Sequence, residues 1–179
     1  ARHAYGCFDP YHDDAQQYAM ATAMVPTSCE DEAVTILREL RRKAPQYRED
    51  GREGYFDAEQ NALVARNAEL YYRTMVRGGS ASWNVRDTHM NETLERLLAH
   101  YGPDAKGIVW EHNTHIGDAH ATDMASAGMV NVGQLAREQL GADNVFAVGF
   151  GTYRGTVLAA TAWENPMKRM TIPPAVNGS

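Results

Sequence analysis

Val109-Trp110-Glu111-His112-Asn113-Thr114-His115-Ile116-Gly117-Asp118 joins an apolar run to a polar turn, and the fold class turns on how it is read. Gly107 to Trp110 is short and apolar, and the Asn, Gly and Asp that come after it break it, so the segment reads as a buried strand running into a loop. Loops at the carboxyl ends of strands are where α/β folds hold their ligands. This loop carries His112 and His115 with Asn113 between them, and Asp118, His120 and Asp123 lie within eight residues of His115.

Working outward, the first third of the chain reads as helical. Ser28-Cys29-Glu30-Asp31 has the form of a capping box, and Arg41-Arg42-Lys43 and Pro45 close the helix it starts. Charged, glycine-containing residues 46–54 read as a loop. A second helix is expected from Asp57 to Met75, ending at Gly78-Gly79. A third is expected from Asn84 to Tyr101, with Met90, Leu94, Leu97, Leu98 and Tyr101 on one stripe. Downstream, Ile108–Trp110 reads as a strand, Val132–Leu140 as a helix, Asn144–Phe150 as a strand and Gly155–Ala162 as a further strand. That alternation argues a parallel βαβ unit. The expected organisation is a helical segment over 1–79 followed by an α/β portion over 80–179.

With 179 residues, 44% of them hydrophobic and 22% charged, the chain has the composition of a globular domain with a real core. A net charge of −6 offers no electrostatic footprint for nucleic acid and argues against an anionic membrane surface. No apolar run approaches the roughly 20 residues of a membrane span, and the opening residues lack an apolar signal region. Cys7 and Cys29 form no Cys-x-x-Cys pair. A disulfide between them is conceivable, but reduced thiols in a cytoplasmic protein are the plainer expectation.

The chemistry-bearing residues each have a bland reading beside the functional one. His112 and His115 can move protons near neutral pH or steady an oxyanion; either could equally be a hydrogen-bonded structural histidine. Asn113 is a turn residue or a catalytic amide, and Asp118 caps the next turn or orients a histidine. Arg86 is a carboxylate clamp or a surface ion-pair partner. Asp87 orients a catalytic histidine or sits in the first turn of a helix, favoured by its dipole. A divalent metal held by His112, His115, Asp118, His120 and Asp123 is a rival, less favoured for want of a helical ligand pattern. In a strand Glu111 points away from His112 and reads as non-catalytic. Ser80 and Ser82 lack a nucleophile elbow, and Gly149, Gly151 and Gly155 lack the spacing of a dinucleotide cradle. Without a covalent nucleophile, direct attack by water is the expected route.

Trp110-x-His112-Asn113-x-His115-x-Gly117-Asp118 also resembles the signature of the erythromycin esterase family. Ser82-Trp83-Asn84-Val85-Arg86-Asp87-x-x-Met90, Gly149-Phe150-Gly151-Thr152-Tyr153-x-Gly155-Thr156, Tyr71-Tyr72-Arg73 and Pro173-Pro174-Ala175 fit the same family in order. The resemblance implies an α/β fold, a three-layer α/β/α core with a parallel sheet plus an inserted helical subdomain. It implies hydrolysis of a carboxylic ester or lactone by histidine-assisted water attack, with a small-molecule substrate and no cofactor. Family members are longer and begin with a Gly-Glu-x-x-His-type segment supplying the base, so this chain resembles a middle piece. That raises pairing with the missing family segment, or self-association, as expected partnerships. His112 would then be a second histidine of the cleft, His115 its support, and Asp87 or Asp118 the group fixing its tautomer. Arg86 and Asn113 would bind or orient substrate. The family name derives from macrolide resistance, which does not define the substrate here. A fragment that keeps the scaffold and binds a small ligand or partner without catalysis is the alternative.

Overall fold

A computed structural model describes residues 2–12, 14–162 and 165–174. Ala1, where the helical segment was expected to begin, and Ala175 of the Pro-Pro-Ala ending lie outside the described residues. The chain divides into two compact units, residues 1–146 and 147–179.

The first unit is helical. A 3-10 stretch, Arg2–Tyr11, leads to α1 (Ala15–Met24), α2 (Glu30–Arg42), α3 (Ala44–Asp50), α4 (Arg52–Met75) and α5 (Ala81–Tyr101). The single turn α6 (Asn113–Ile116) and the helix α7 (Val132–Leu140) come next. Helix α2 forms where expected, with Glu30, Asp31 and Glu32 in its first turn and Arg41 and Arg42 in its last, matching the helix dipole. Its Leu37 meets Ala62 and Leu63 of α4, and Ile36 and Leu40 extend that apolar cluster. Burial of these side chains is the main term holding the α2–α4 pair together. Helices α4 and α5 are joined by polar contacts: Asn67 Nδ2 to His89 Nδ1 at 2.8 Å and Arg96 Nε to Gln60 Oε1 at 2.8 Å.

The expected loop over 46–54 is instead largely helical, as α3 and the start of α4. Pro45 stands in the first turn of α3, where its missing N–H costs nothing, so the residue that stops α2 also starts its successor. Gly51, at φ 148°, supplies the break between α3 and α4. The cysteines pair with each other in the described structure. Cys7–Cys29 is a disulfide with its Cα atoms 5.8 Å apart, tying the 3-10 stretch to the start of α2, so the expectation of reduced thiols is corrected.

The α/β expectation is overturned. The described residues hold one sheet, a two-stranded antiparallel hairpin in the second unit: β1 (Gly155–Ala159) pairs with β2 (Lys168–Ile172), Gly155 opposite Ile172 and Ala159 opposite Lys168. The eight residues between them, 160–167, are too few for the crossover that a parallel pair requires. Residues 107–111 and 145–150 have the composition of strands, yet neither belongs to a sheet among the described residues. Ile108 and Phe146 stand 93% and 92% exposed. An apolar run becomes a buried strand only when neighbouring strands accept its backbone groups, so no three-layer α/β/α core with a parallel sheet is present among the described residues.

Candidate active site

Three short pieces of chain build the site in the first unit. Gly78 and Gly79 take φ of 72° and 76°, conformations natural to glycine, and turn the chain from α4 into α5. The first turns of α5 carry Trp83, Arg86 and Asp87, whose spacing puts them on one face. The turn α6 carries His115, and Asn131 caps the start of α7 by accepting the Gln134 N–H at 2.9 Å.

Asp87 is wholly buried and faces His115: Nδ1 of the imidazole lies 2.9 Å from Oδ2 and 3.1 Å from Oδ1. Oδ2 also accepts the Val132 N–H, the first amide of α7, at 3.3 Å. With Nδ1 donating to the carboxylate, the lone pair of His115 sits on Nε2, where the Arg86 guanidinium approaches to 3.4 Å through Nη2. Trp83 stacks flat on the imidazole, ring centroids 4.6 Å apart and planes 4° from parallel. Its own N–H donates to the Val130 carbonyl at 2.7 Å, which fixes the indole. Arg86 lies over the Trp83 ring at 4.9 Å and over Tyr71 at 5.9 Å. Burial pushes the Asp87 carboxyl above its ordinary value, while His115, Arg86 and the Val132 amide pull it back.

The loop is held against α7. Asn131 Nδ2 donates to the Thr114 carbonyl at 2.8 Å and its Oδ1 accepts the Ala119 N–H at 3.3 Å. Arg137 Nη1 donates to the Gly117 carbonyl at 3.1 Å. Gly133 permits this closeness, because a Cβ there would collide with the carbonyls of Ile116 and Gly117.

Of the residues singled out in the sequence, the structure brings His115, Asp87 and Arg86 together. His112 is exposed and caps α6: its Nδ1 accepts the Thr114 N–H at 3.3 Å and lies 3.0 Å from the Thr114 hydroxyl. Asn113 opens the same turn, exposed. Asp118 accepts the His120 N–H at 3.0 Å, the capping role open to it. His120 turns instead to Gln134 and Glu138, and Asp123 is exposed. Among the described residues no group of three or more His, Cys, Asp or Glu is arranged to hold a metal ion.

Glu111, read from the sequence as turned away from His112 and non-catalytic, lies within electrostatic reach of His115. Its Oε2 is buried with no hydrogen-bond partner among the described residues. Burial raises its carboxyl above the ordinary value; His115 and Arg86 act to lower it and Asp87 to raise it, so the four groups share one electrostatic neighbourhood. The available signal was alternation: a residue turned away from His112 is free to face what His115 faces. Glu111 also lines a groove of about 510 Å³ beside α5, together with Leu94, Leu97, Leu98, Ile108 and Val109.

No helix of the described residues is long and apolar enough to cross a membrane. No solved structure matches this chain. The sequence as a whole, residues 1–179, matches the family described as erythromycin esterase. With that match running from end to end and the Asp87–His115 pair lying within it, the chain belongs to the erythromycin esterase family.

Proposed function

We propose that this chain hydrolyses a carboxylic ester or lactone, with His115 as the base that activates water. The observation that carries the reading is the contact between His115 and the buried Asp87 at 2.9 Å, which orients the imidazole and leaves Nε2 as its acceptor. In the proposed reaction Nε2 takes a proton as water adds to the carbonyl carbon, and Asp87 stabilises the imidazolium that forms. The carbonyl oxygen becomes an oxyanion beside the Arg86 guanidinium, placed by its stack on Trp83. On collapse, the carbon–oxygen bond to the alcohol breaks and the proton held by His115 passes to the departing alkoxide. The products are a carboxylic acid and an alcohol, or one hydroxy acid from a lactone. Side chains supply every step, so no cofactor enters this scheme. The largely apolar groove that Glu111 helps to line supports a small substrate with an aliphatic portion.

Hydrolysis of p-nitrophenyl butyrate and of an aliphatic lactone, compared between the parent and His115→Ala, tests the reading. A loss of about 10²–10⁴-fold with an unchanged circular dichroism spectrum is expected. Equal rates in the two proteins would remove His115 from the chemistry. A folded parent that hydrolyses neither compound would favour the non-catalytic binding role.

A further inference from the structure

A second cavity of the first unit is untouched by this chemistry. It measures about 410 Å³, a volume that holds a small molecule. Its floor is one face of α4, where Ala65 and Ala68 leave room. Its walls are aromatic: Tyr5, Phe8 and Tyr11 from the N-terminal 3-10 stretch, Tyr18 from α1 and Tyr72 from α4.

Three of these rings, Tyr18, Phe8 and Tyr11, are braced. The Tyr18 hydroxyl donates to Glu69 Oε1 at 2.9 Å and accepts the Cys29 N–H at 2.9 Å, so its ring cannot swing out. Phe8 and Tyr11 pack on that ring with centroids at 5.3 and 5.1 Å. Cys7, the neighbour of Phe8, is bonded to Cys29, which holds the whole 3-10 wall in place. A binding surface ordered in advance loses less entropy when its ligand arrives.

The charge around the cavity has one sign in excess. Asp14 and Glu69 line it, and no Lys or Arg does among the described residues. Arg73 reaches Glu69 at 2.9 Å from outside the lining but is shared with Glu30 at 3.0 Å, so one guanidinium faces two carboxylates, and no ion pair forms at Asp14 among the described residues. His12, exposed at the edge with φ at 47°, and the tyrosine hydroxyls are the other ionisable groups among the described lining residues. Burial and the Glu69 carboxylate hold the Tyr18 hydroxyl in its protonated form, and burial raises Tyr5 as well, which disfavours phenolate ligation of a metal ion. Aromatic walls with surplus negative charge suit a cation with an alkyl shell, which gains from ring electrons and carboxylates together.

We propose that this cavity binds an organic cation of the alkylammonium class, its N-alkyl groups among the five rings and its charge toward Glu69 and Asp14. The lining includes none of His115, Asp87 and Arg86, and the proposal stands whether or not the chain hydrolyses esters.

Calorimetric titration of the whole chain with choline, set beside its uncharged carbon isostere 3,3-dimethylbutan-1-ol, tests the proposal. Choline should bind saturably and about tenfold or more tighter than the isostere. Tyr72→Ala should weaken choline about tenfold with the isostere less affected. Asp14→Asn changes an exposed residue and keeps an oxygen to cap α1, so it serves should Tyr72→Ala fail to fold; it should weaken choline several-fold, about threefold or more. Equal affinity for the two compounds would make the cavity merely apolar and overturn the proposal. So would the absence of saturable choline binding, or choline affinity unmoved in a folded variant.

Discussion

The carboxylate of Asp87, with no exposed surface, lies 2.9 Å from Nδ1 of His115 across 28 residues of sequence. A buried acid against a partly buried imidazole fixes a tautomer, and the first consequence concerns that proton. Asp87→Asn presents either an N–H or an oxygen to Nδ1 and no longer specifies which ring nitrogen carries hydrogen. The expected result is a fall in kcat on the order of 10³-fold, with KM nearly unchanged. A fall confined to KM would mean that Asp87 serves substrate binding.

The two histidines separate cleanly by substitution. His112 is exposed and closes its own turn, so His112→Ala should cost about 1 kcal/mol of local stability through the lost cap and leave kcat within about threefold of the parent. A loss as large as that of His115→Ala would move the reacting centre to the other side of α6.

Burial holds the Glu111 carboxyl above its ordinary value, so the folded protein binds that proton more tightly than the unfolded chain does. The associated stability is full below the ordinary carboxylate pKa and is lost as pH rises through the raised one. Glu111→Gln removes this loss. The variant should melt above the parent at about pH 7.5, and the gap should close by about pH 4. Asp87 is raised in the same direction, and removing the neighbouring Glu111 charge eases that shift, which adds to the gap in the same sense. A gap that widens on acidification would contradict the assignment.

Gly133→Ala places a methyl against the carbonyls of Ile116 and Gly117, which are backbone and cannot rotate away. Helix α7 must shift, at about 1–3 kcal/mol, and the Val132 amide moves with it from Asp87. Urea unfolding measures the first effect and the ester assay the second. A variant as stable as the parent would show that the loop yields more readily than its hydrogen bonds suggest.

Cys7 and Cys29 close a separation of 22 residues. Their reduction, or the double replacement by serine, should lower stability on the order of 3 kcal/mol, read as an earlier thermal transition. No change on adding reductant would mean that the bridge contributes nothing to the folded state over the reduced chain.

Particular residues show how far the sequence was legible. Helix α2 was, because acids at Glu30–Glu32 and bases at Arg41 and Arg42 act within one turn of their own backbone. Helix α3 was not, since the proline that ends one helix is equally suited to begin another. The runs at 107–111 and 145–150 carry the composition of strands, but composition does not supply the neighbours that make a ladder. At the site, Asp87 as the acid that orients a histidine could be read from residue type. Which histidine it orients could not, because one turn of helix decides that His115 faces inward while His112 caps. Glu111 was masked by the same limit: alternation says which way a side chain points, and nothing about what another segment brings there.

The start of α7 touches both partners of the pair: Val132 holds Asp87, and Asn131 holds the carbonyl next to His115. The acid and the imidazole are thereby surveyed from a common benchmark. A displacement of α7 against α5 is therefore felt at both ends of the pair at once, at the carboxylate through Val132 and beside the imidazole through Asn131. Alignment of this kind is set in one place, so a single packing fault there unsettles acid and base together.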